Sequence, residues 1–258
     1  MQQVKKFITN KYMIFLYGTI FVFLLWLIIS LCVNSTIVPS PIDTIVLARE
    51  YLKEGYTYIC LGHSLLRMLI GFLIAFVIAF ALGMIVNDSE KMYQFFTPLM
   101  TFFKAIPTAA LVFLFIVVIG AQYAPMLVVI LIATPILYEA IVGGLKSSDQ
   151  EIIDSANVDG ANKFKKLFKI QLPLSMPFIV VGMISAFSLS FKIEIMAEVI
   201  TGYTRNGIGS LIKGAQINDP TNMTPVFAYS LIAVVLMLLI TLAAFFINEK
   251  IKKNQAKK

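Results

Sequence analysis

Apolar residues come in six long runs along the chain, separated by shorter polar segments. The runs cover residues 12–38, 64–86, 95–120, 123–142, 172–191 and 225–247. A helix of about 20 residues crosses the roughly 30 Å hydrocarbon layer of a membrane, and each run offers that length. Backbone groups in lipid must bond within the protein, and the sequence shows no sustained strand alternation. The pattern therefore predicts an all-α membrane protein with six transmembrane helices.

The composition agrees with this interpretation. Of the 258 residues, 59% are hydrophobic and 14% are charged, and the mean hydropathy is +0.87. Soluble domains are about 45–50% apolar and about 25% charged. A soluble domain of this length could not bury so much apolar surface.

Lysine and arginine are distributed unevenly between the two sets of loops, which predicts the orientation of the chain. If both termini lie in the cytoplasm, fourteen basic residues fall on the cytoplasmic side and five on the other. We therefore expect a multi-pass protein of the inner membrane with both termini in the cytoplasm. The basic clusters at the two ends suit anionic lipid. They lack the aromatic residues of a nucleic-acid-binding stripe, so no nucleic-acid partner is expected.

Residues that could form a metal or catalytic centre are scarce. Cys32, Cys60 and His63 are isolated and have no metal-ligand spacing. A membrane enzyme would need a cluster such as paired His, Ser–Lys or Asp–Asp within the spans, and none is evident. The sequence predicts no metal site and no catalytic residue.

One polar segment, DSANVDGANKFKKLFKIQLP at residues 154–173, interrupts the apolar chain between the fourth and fifth runs. Gly160 indicates a helix end in this segment, because glycine tolerates a positive φ. Phe164, Leu167 and Phe168 follow at helical spacing, with lysines on the other faces. Pro173 suits the first turn of the next helix. Composition alone favours a lipid-surface loop over a docking element for a soluble partner.

The spacing of this segment changes that preference. Asp154-Ser155-Ala156, three residues, Gly160, nine residues and Ile170-x-Leu172-Pro173 resemble the EAA signature of ABC-importer permeases, E-A-A-x3-G-x9-I-x-L-P. Asp stands for Glu and Ser for the first Ala. Further stretches resemble the nitrate/sulfonate/taurine branch of that superfamily, namely VPSP, HSLLRMLIGF, ALGMIV, PLMTFFKAIPTAALVFLFIVVIG and AEVITGYTRNGIGSLI.

The resemblance implies a type I ABC importer permease fold, with six transmembrane helices and a cytoplasmic coupling helix between helices 4 and 5. It implies a single transmembrane permease domain over residues 1–258, with its core at about 60–247 and a coupling loop at 143–171. ATPase docking is then expected of the coupling-loop residues Asp154, Ser155, Ala156, Gly160, Phe164, Leu167, Phe168, Leu172 and Pro173.

By the same resemblance, the chain is a transport subunit that forms the pathway for a small solute. Its expected partners are two cytoplasmic ABC ATPase subunits, a second permease copy in a homodimer, an extracytoplasmic solute-binding protein and membrane lipid. GGLKSS at residues 143–148 does not match G-x4-G-K-[ST], so ATP and Mg are expected on the ATPase and no cofactor on this chain. The solute could be a nitrate-, sulfonate- or taurine-like anion, or a pyrimidine-type vitamin precursor.

Five charged residues are candidates for the solute pathway, because charges inside a membrane are costly unless they are paired. They are Arg67, Lys104, Lys192, Glu194 and Glu198. Two alternatives stand beside this role. Arg67 could form a structural ion pair with the two glutamates, which lie four residues apart. Lys104 could anchor a helix at its cytoplasmic end.

Two other classes of transport protein remain as alternatives. An ATP-independent secondary transporter or channel would show inverted repeats and acidic pairs in broken helices. The coupling subunit of a vitamin-type importer would carry paired A-R-G-type motifs. Neither feature is clear in the sequence, and neither class explains the spacing at residues 154–173.

Overall fold

The computed structural model describes residues 11–33, 35–147, 152, 162–202 and 206–255. Within these residues the regular structure is entirely helical. The helices are α1 Lys11–Cys32, α2 Pro41–Tyr51, α3 Gly55–Asn87, α4 Glu90–Ala105, α5 Thr108–Ile119, α6 Ala124–Lys146, α7 Lys163–Lys166, α8 Leu172–Thr201, α9 Ile208–Asn218 and α10 Thr224–Gln255. A π-helical turn, Leu167–Gln171, joins α7 to α8.

Four helical segments in the described part are long and apolar enough to cross a membrane. They are α3, α6, Phe164–Thr201 and Thr224–Ala243. A fifth is possible because α4 and α5 together have the required length, although they bend by 92° at the break between them. Helix α1 contributes a shorter apolar helical stretch, Leu16–Cys32. The all-α membrane architecture is confirmed, and the total of six spans stays a prediction.

The break between α4 and α5 has a visible cause in the sequence. Pro107 follows Ile106, whose backbone is extended with φ −70° and ψ 128°. A residue before proline avoids the helical region, and proline itself has no N–H to donate. A helix entering this dipeptide must stop, so the third apolar run becomes two helices at an angle.

The chain divides into two compact units. The first comprises the chain up to Tyr58 together with Leu211–Val234. Here the connection after α1 is tied down by the Trp26 indole N–H, which donates to the Pro39 carbonyl at 3.2 Å, and by the Met223 N–H, which donates to the Thr36 carbonyl at 2.8 Å. Tyr51 stacks on Tyr229 with ring centroids 4.2 Å apart.

Side-chain hydrogen bonds fix two turns of this first unit. Helix α2 starts at Ser40, whose hydroxyl accepts the Asp43 N–H, and Pro41 occupies the first turn, as expected for a helix start. In the turn before α10, the Thr221 hydroxyl donates to Asp219 at 2.6 Å and lowers the pKa of that carboxyl group.

The second unit comprises Ile59–Ser210 together with the chain from Val235 onwards, and its centre is α6. Helix α6 buries fourteen residues, more than half of its length of 23. Its apolar core includes Leu137, Tyr138 and Ile141, packed with Met68 and Phe72 of α3. Helices α6 and α8 approach closely because small residues lie between them.

Glycines mark that close approach. A Cβ on Gly144 would lie 3.3 Å from the Ser175 carbonyl oxygen, and one on Gly182 would overlap the Cβ of Ala140. The Ser175 hydroxyl also lies 2.8 Å from the Gly144 carbonyl and can donate to it. Small residues and hydroxyl bonds of this kind hold helices together where the hydrophobic effect between them is weak.

Candidate functional site

The second unit contains a buried cluster of charged side chains between α3 and α8. Glu194 and Glu198 lie one turn apart on α8, and both are 0% exposed. Arg67 of α3 faces them. Its Nε donates to Glu194 Oε1 at 3.1 Å, and its Nη2 donates to Glu198 Oε1. The expected ion pair between Arg67 and the two glutamates is therefore confirmed.

The same cluster holds the start of α9. The first N–H groups of a helix have no partner within it and need acceptors from elsewhere. The Ile208 N–H donates to the Ser64 hydroxyl at 3.0 Å, and the Gly209 N–H donates to Glu198 Oε2 at 2.9 Å. A carboxylate at this position also suits the positive end of the helix dipole. Side chains of α3 and α8 therefore form the N-terminal cap of α9.

The segment that enters α9 is fixed by two further features. Arg67 Nη2 donates to the Asn206 carbonyl at 2.9 Å. Gly207 and Gly209 leave room for the cluster. A Cβ at Gly207 would lie 2.7 Å from Arg67 Nη2, and one at Gly209 would lie 2.6 Å from the Ile195 carbonyl. The chain therefore returns onto the helix bundle at residues 206–209.

The two glutamates have unequal surroundings. Glu198 contacts Arg67, the Ser64 hydroxyl at 2.8 Å and the Gly209 N–H. Glu194 Oε1 accepts from Arg67, but Glu194 Oε2 has no hydrogen-bond partner among the described residues. Two carboxylates therefore share one guanidinium. The geometry describes a structural cross-link, and a pathway role for these three residues stays a prediction.

The other two pathway candidates lie apart from this cluster. Lys104 is the penultimate residue of α4, and its Nζ donates to both carboxylate oxygens of Glu139 of α6, at 2.9 and 2.7 Å. Lys192 is exposed and takes part in none of the ion pairs found in the described ranges. Glu139 was not among the predicted residues, although a lone carboxylate in an apolar run was a usable signal.

The second half of the predicted docking segment is well placed for an external contact. The rings of Phe164 and Phe168 stack at 6.1 Å and are 72% and 47% exposed. Together with Leu167 they line a cavity of about 550 Å³ beside the end of α3. The first half of the segment, with Asp154, Ser155, Ala156 and Gly160, lies outside the described residues.

Where this segment joins α8, the chain is anchored to the bundle. Gln171 is buried, and its side-chain carbonyl accepts the Asn87 amide at 3.2 Å. Pro173 lies in the first turn of α8, as predicted. It cannot donate to the Lys169 carbonyl, and the preceding turn is π-helical, with the Leu172 N–H bonded to Leu167. The helix indicated by the spacing of Phe164, Leu167 and Phe168 is thus a short α-helix that continues through a wider turn.

No group of three or more His, Cys, Asp or Glu side chains in the described part of the chain could hold a metal ion. The residues that the sequence analysis missed are Ser64, Gly207, Gly209 and Glu139. Ser64 and the two glycines carry no distinguishing signal in the sequence, because serine and glycine are common residues.

Relatives of the chain are permeases. It is 27% identical to a probable ABC transporter permease protein of Brucella melitensis, over 71% of this chain and 74% of the relative. It is 23% identical to the putative aliphatic sulfonates transport permease protein SsuC of Bacillus subtilis, over 74% and 68%. It is 27% identical to the nitrate import permease protein NrtB of Leptolyngbya laminosa, also over 74% and 68%.

Solved structures show the same fold. The inward-facing MetNI methionine ABC transporter matches with a TM-score of 0.63 at 19% identity, over 72% of this chain and 92% of that one. An amino acid ABC transporter matches with a TM-score of 0.67 at 13% identity, over 80% and 98%. Residues 68–255 match the family described as the binding-protein-dependent transport system inner membrane component, and the chain belongs to this family of ABC importer permeases.

Proposed function

We propose that this chain forms the solute pathway of an ATP-driven importer, as a homodimer that docks two ATPase subunits. A binding protein on the far side of the membrane delivers the solute. The coupling segment is the observation that carries this proposal. Two stacked phenylalanines remain exposed on a segment that otherwise carries lysines, beside an apolar cavity. An exposed aromatic pair of this kind suits the groove of a soluble protein.

The structure also supports a route for transmitting movement from that contact. A displacement of Phe164 and Phe168 by the ATPase would be transmitted to α8, because Lys163–Thr201 is one continuous helical stretch. Gln171 connects this stretch to Asn87 of α3, and Ser175 connects it to Gly144 of α6. Closure of the ATPase dimer would therefore move α8 together with α3 and α6.

For the solute, we propose a small anion of the nitrate or sulfonate type. The relatives include a nitrate import permease and a putative aliphatic sulfonates permease. Positive side chains in the spans are compatible with this class, although a pyrimidine-type precursor is the other candidate. A thermal-shift screen of the cognate binding protein against nitrate, sulfonates and pyrimidine precursors separates them.

The coupling proposal is tested in reconstituted complexes containing the ATPase and the loaded binding protein. Phe164→Asp combined with Phe168→Asp is expected to abolish solute-stimulated ATP hydrolysis and uptake. Gly160→Leu and Asp154→Lys, in the preceding part of the segment, are expected to uncouple transport as well. Lys165→Ser, on another face of the same segment, is the matched control and should retain coupling.

Full stimulation in the phenylalanine variant would contradict the docking role. Uptake by the chain alone, without ATPase and ATP, would instead support an ATP-independent transporter. Both measurements use the same proteoliposomes, so one preparation distinguishes the two classes.

A further inference from the structure

The ion pair between Lys104 and Glu139 differs from the buried cluster in one respect, which is its exposure. Its two side chains are 41% and 47% exposed, whereas Glu194 and Glu198 are fully buried. Lys104 lies at the end of α4, beside the 92° break, and Glu139 lies within α6. Both helices belong to apolar segments of a membrane protein. The exposed parts of these two charged side chains must therefore face lipid, protein or water.

Helix α4 presents three different faces. Tyr93, Phe96 and Met100 pack against the core of the second unit. Phe95, Leu99 and Phe102 form an exposed apolar face at helical spacing. The third face is polar and is formed by Gln94, Thr97, Thr101 and Lys104, again at spacings of three and four residues. We call this third face the polar stripe.

The two solvent-accessible faces of α4 suit different surroundings. The face with Phe95 and Phe102 suits lipid tails. Charged side chains inside the membrane are costly in lipid and almost always face a water-filled cavity or the protein interior. Lys104 and Glu139 are not covered within their own unit, so lipid on the polar stripe would leave both charges in hydrocarbon. Irregular backbone such as that at Ile106–Pro107 is excluded from lipid, because within a membrane it occurs only where it is buried in protein or lines a water-filled cavity.

We propose that the polar stripe and Glu139 line a water-filled solute path, and that the Lys104–Glu139 pair determines which solute charge passes. This inference rests on the proposed function and assigns it a specific surface. In the empty path, Glu139 neutralises Lys104. An anionic solute can replace the Glu139 carboxylate on the Lys104 ammonium, so the path can accept an oxyanion without holding a permanent excess of positive charge.

The accessibility of single cysteines tests the surface. The single cysteines are introduced into a chain that carries Cys32→Ser, so that its remaining native cysteine is the buried Cys60. The complete complex with its ATPase is then placed in nanodiscs. The Cys32→Ser chain without an added cysteine gives the background reaction. Thr101→Cys is treated with a negatively charged methanethiosulfonate reagent. Phe102→Cys, the adjacent residue on the apolar face, is the matched control. Because the thiolate is the reactive form and needs water, Thr101→Cys should react on the order of tenfold faster or more.

Equal rates at the two positions, or no reaction at Thr101→Cys, would overturn the proposal, because the polar stripe would then face lipid or another protein surface. Gln94→Cys gives a second reporter on the same stripe if the first variant does not assemble, because Gln94 is exposed whereas Thr97 is half-buried against Tyr138. Labelling does not require transport. If the Thr101→Cys thiol reacts but the same complex shows no uptake before labelling, the proposed function is contradicted while the water-filled path is preserved.

A second measurement tests the charge of the path. Thr101→Cys is compared with one anionic and one cationic methanethiosulfonate reagent. Glu139→Gln should raise the anion-to-cation rate ratio by roughly three- to tenfold, and Lys104→Gln should lower it similarly, as expected for one unit charge about one helical turn away. Unchanged ratios in both variants would contradict the charge-setting role.

Discussion

Glu194 and Glu198 show how two identical side chains, one turn apart, can differ in importance. The Glu198 side chain bonds to two other elements, α3 through Ser64 and Arg67, and the start of α9 through Gly209. Glu194 bonds to Arg67 alone and leaves one oxygen without a partner in the described part of the chain. Removing the charge of Glu198 therefore exposes more unsatisfied groups than removing that of Glu194.

We expect Glu198→Gln to destabilise the protein more than Glu194→Gln. Each variant leaves Arg67 with one carboxylate partner, but Glu198→Gln also takes acceptor capacity away from the Ser64 hydroxyl and the Gly209 N–H, and a buried donor left unsatisfied costs about 1–3 kcal/mol. In Glu194→Gln, Arg67 keeps Glu198, and the excess negative charge disappears, so the cost should be below about 1 kcal/mol. Thermal melting of the purified complex gives the comparison.

Lys53→Ala removes an exposed ion pair to Glu50 and serves as the reference, with an expected effect of about 0–1 kcal/mol. Equal melting temperatures for Glu198→Gln and Glu194→Gln would show that the cap on α9 contributes nothing measurable.

The two glycines before and within α9 allow a second comparison. Gly207→Ala and Gly209→Ala each place a Cβ within 2.7 Å of atoms of the charged cluster or of the α8 backbone. Overpacking of this kind typically costs about 1–3 kcal/mol. Gly214, later in the same helix, has nothing within 4 Å of its Cβ position, so Gly214→Ala should be neutral or slightly stabilising. Melting temperatures of the three variants test this order of stability. A lower melting temperature for Gly214→Ala alone would contradict it.

Part of this cluster could be predicted from the sequence. Arg67, Glu194 and Glu198 are charges in apolar runs, and such charges need partners, so the ion pair was expected. Ser64 and Gly207 could not be assigned, because serine and glycine are common and their contacts join segments about 140 residues apart. The pairing of Lys104 with Glu139 could not be predicted either, because the two residues lie on different helices, α4 and α6, which only the fold brings together.

At the scale of elements, the contact between α6 and α8 depends on residues without side-chain bulk. Gly182 faces Ala140, and Gly144 faces Ser175. Both pairs allow the two backbones to approach, which brings the Ser175 hydroxyl within reach of the Gly144 carbonyl.

Gly182→Ala should therefore separate α6 from α8 and lower the melting temperature, with a cost of about 1–3 kcal/mol for overpacking. Gly143→Ala is the matched control on α6, because nothing lies within 4 Å of its Cβ position. Proteolysis of the purified complex adds a second measurement, since a loosened contact is cut faster. If Gly143→Ala were the more harmful change, the packing described for this pair would be wrong.

Element positions could be predicted more fully than element junctions. The apolar runs matched helices, and Pro107 indicated the break in the third run. The π-helical turn at Leu167–Gln171 was not predicted, because its side-chain spacing resembles that of an ordinary helix until the backbone bonds are known. Helix α9 was also missed, since its cap comes from side chains of α3 and α8 rather than from its own flanking residues.

At the scale of the whole molecule, transport requires that a contact at one end of the subunit alter its spans. The Asn87–Gln171 hydrogen bond is a single connection between the coupling segment and α3, and it can be removed without altering the exposed phenylalanines.

Asn87→Ala should weaken coupling while preserving assembly with the ATPase. A hydrogen bond contributes about 0.5–1.5 kcal/mol, which corresponds to a change of a few-fold in the ratio of solute transported to ATP hydrolysed. Parallel assays of uptake and ATP hydrolysis give this ratio, and co-purification gives the assembly. Asn218→Ala, which removes an exposed amide at the end of α9, outside the coupling segment, is the control. An unaltered ratio in Asn87→Ala would exclude this connection from the transmission route.

The wide turn at Leu167–Gln171 has a consequence for the evolution of the coupling segment. In an α-helix each residue rotates the following side chains by about 100°. A π turn accommodates an extra residue, so its presence sets the angle between the phenylalanine pair and every side chain of α8. Deleting one residue here would act as a rotation of the docking face more than as a shortening of the chain. In related permeases with a different number of residues in this turn, the docking face would point in a different direction relative to α8, while the transmembrane helices stayed the same.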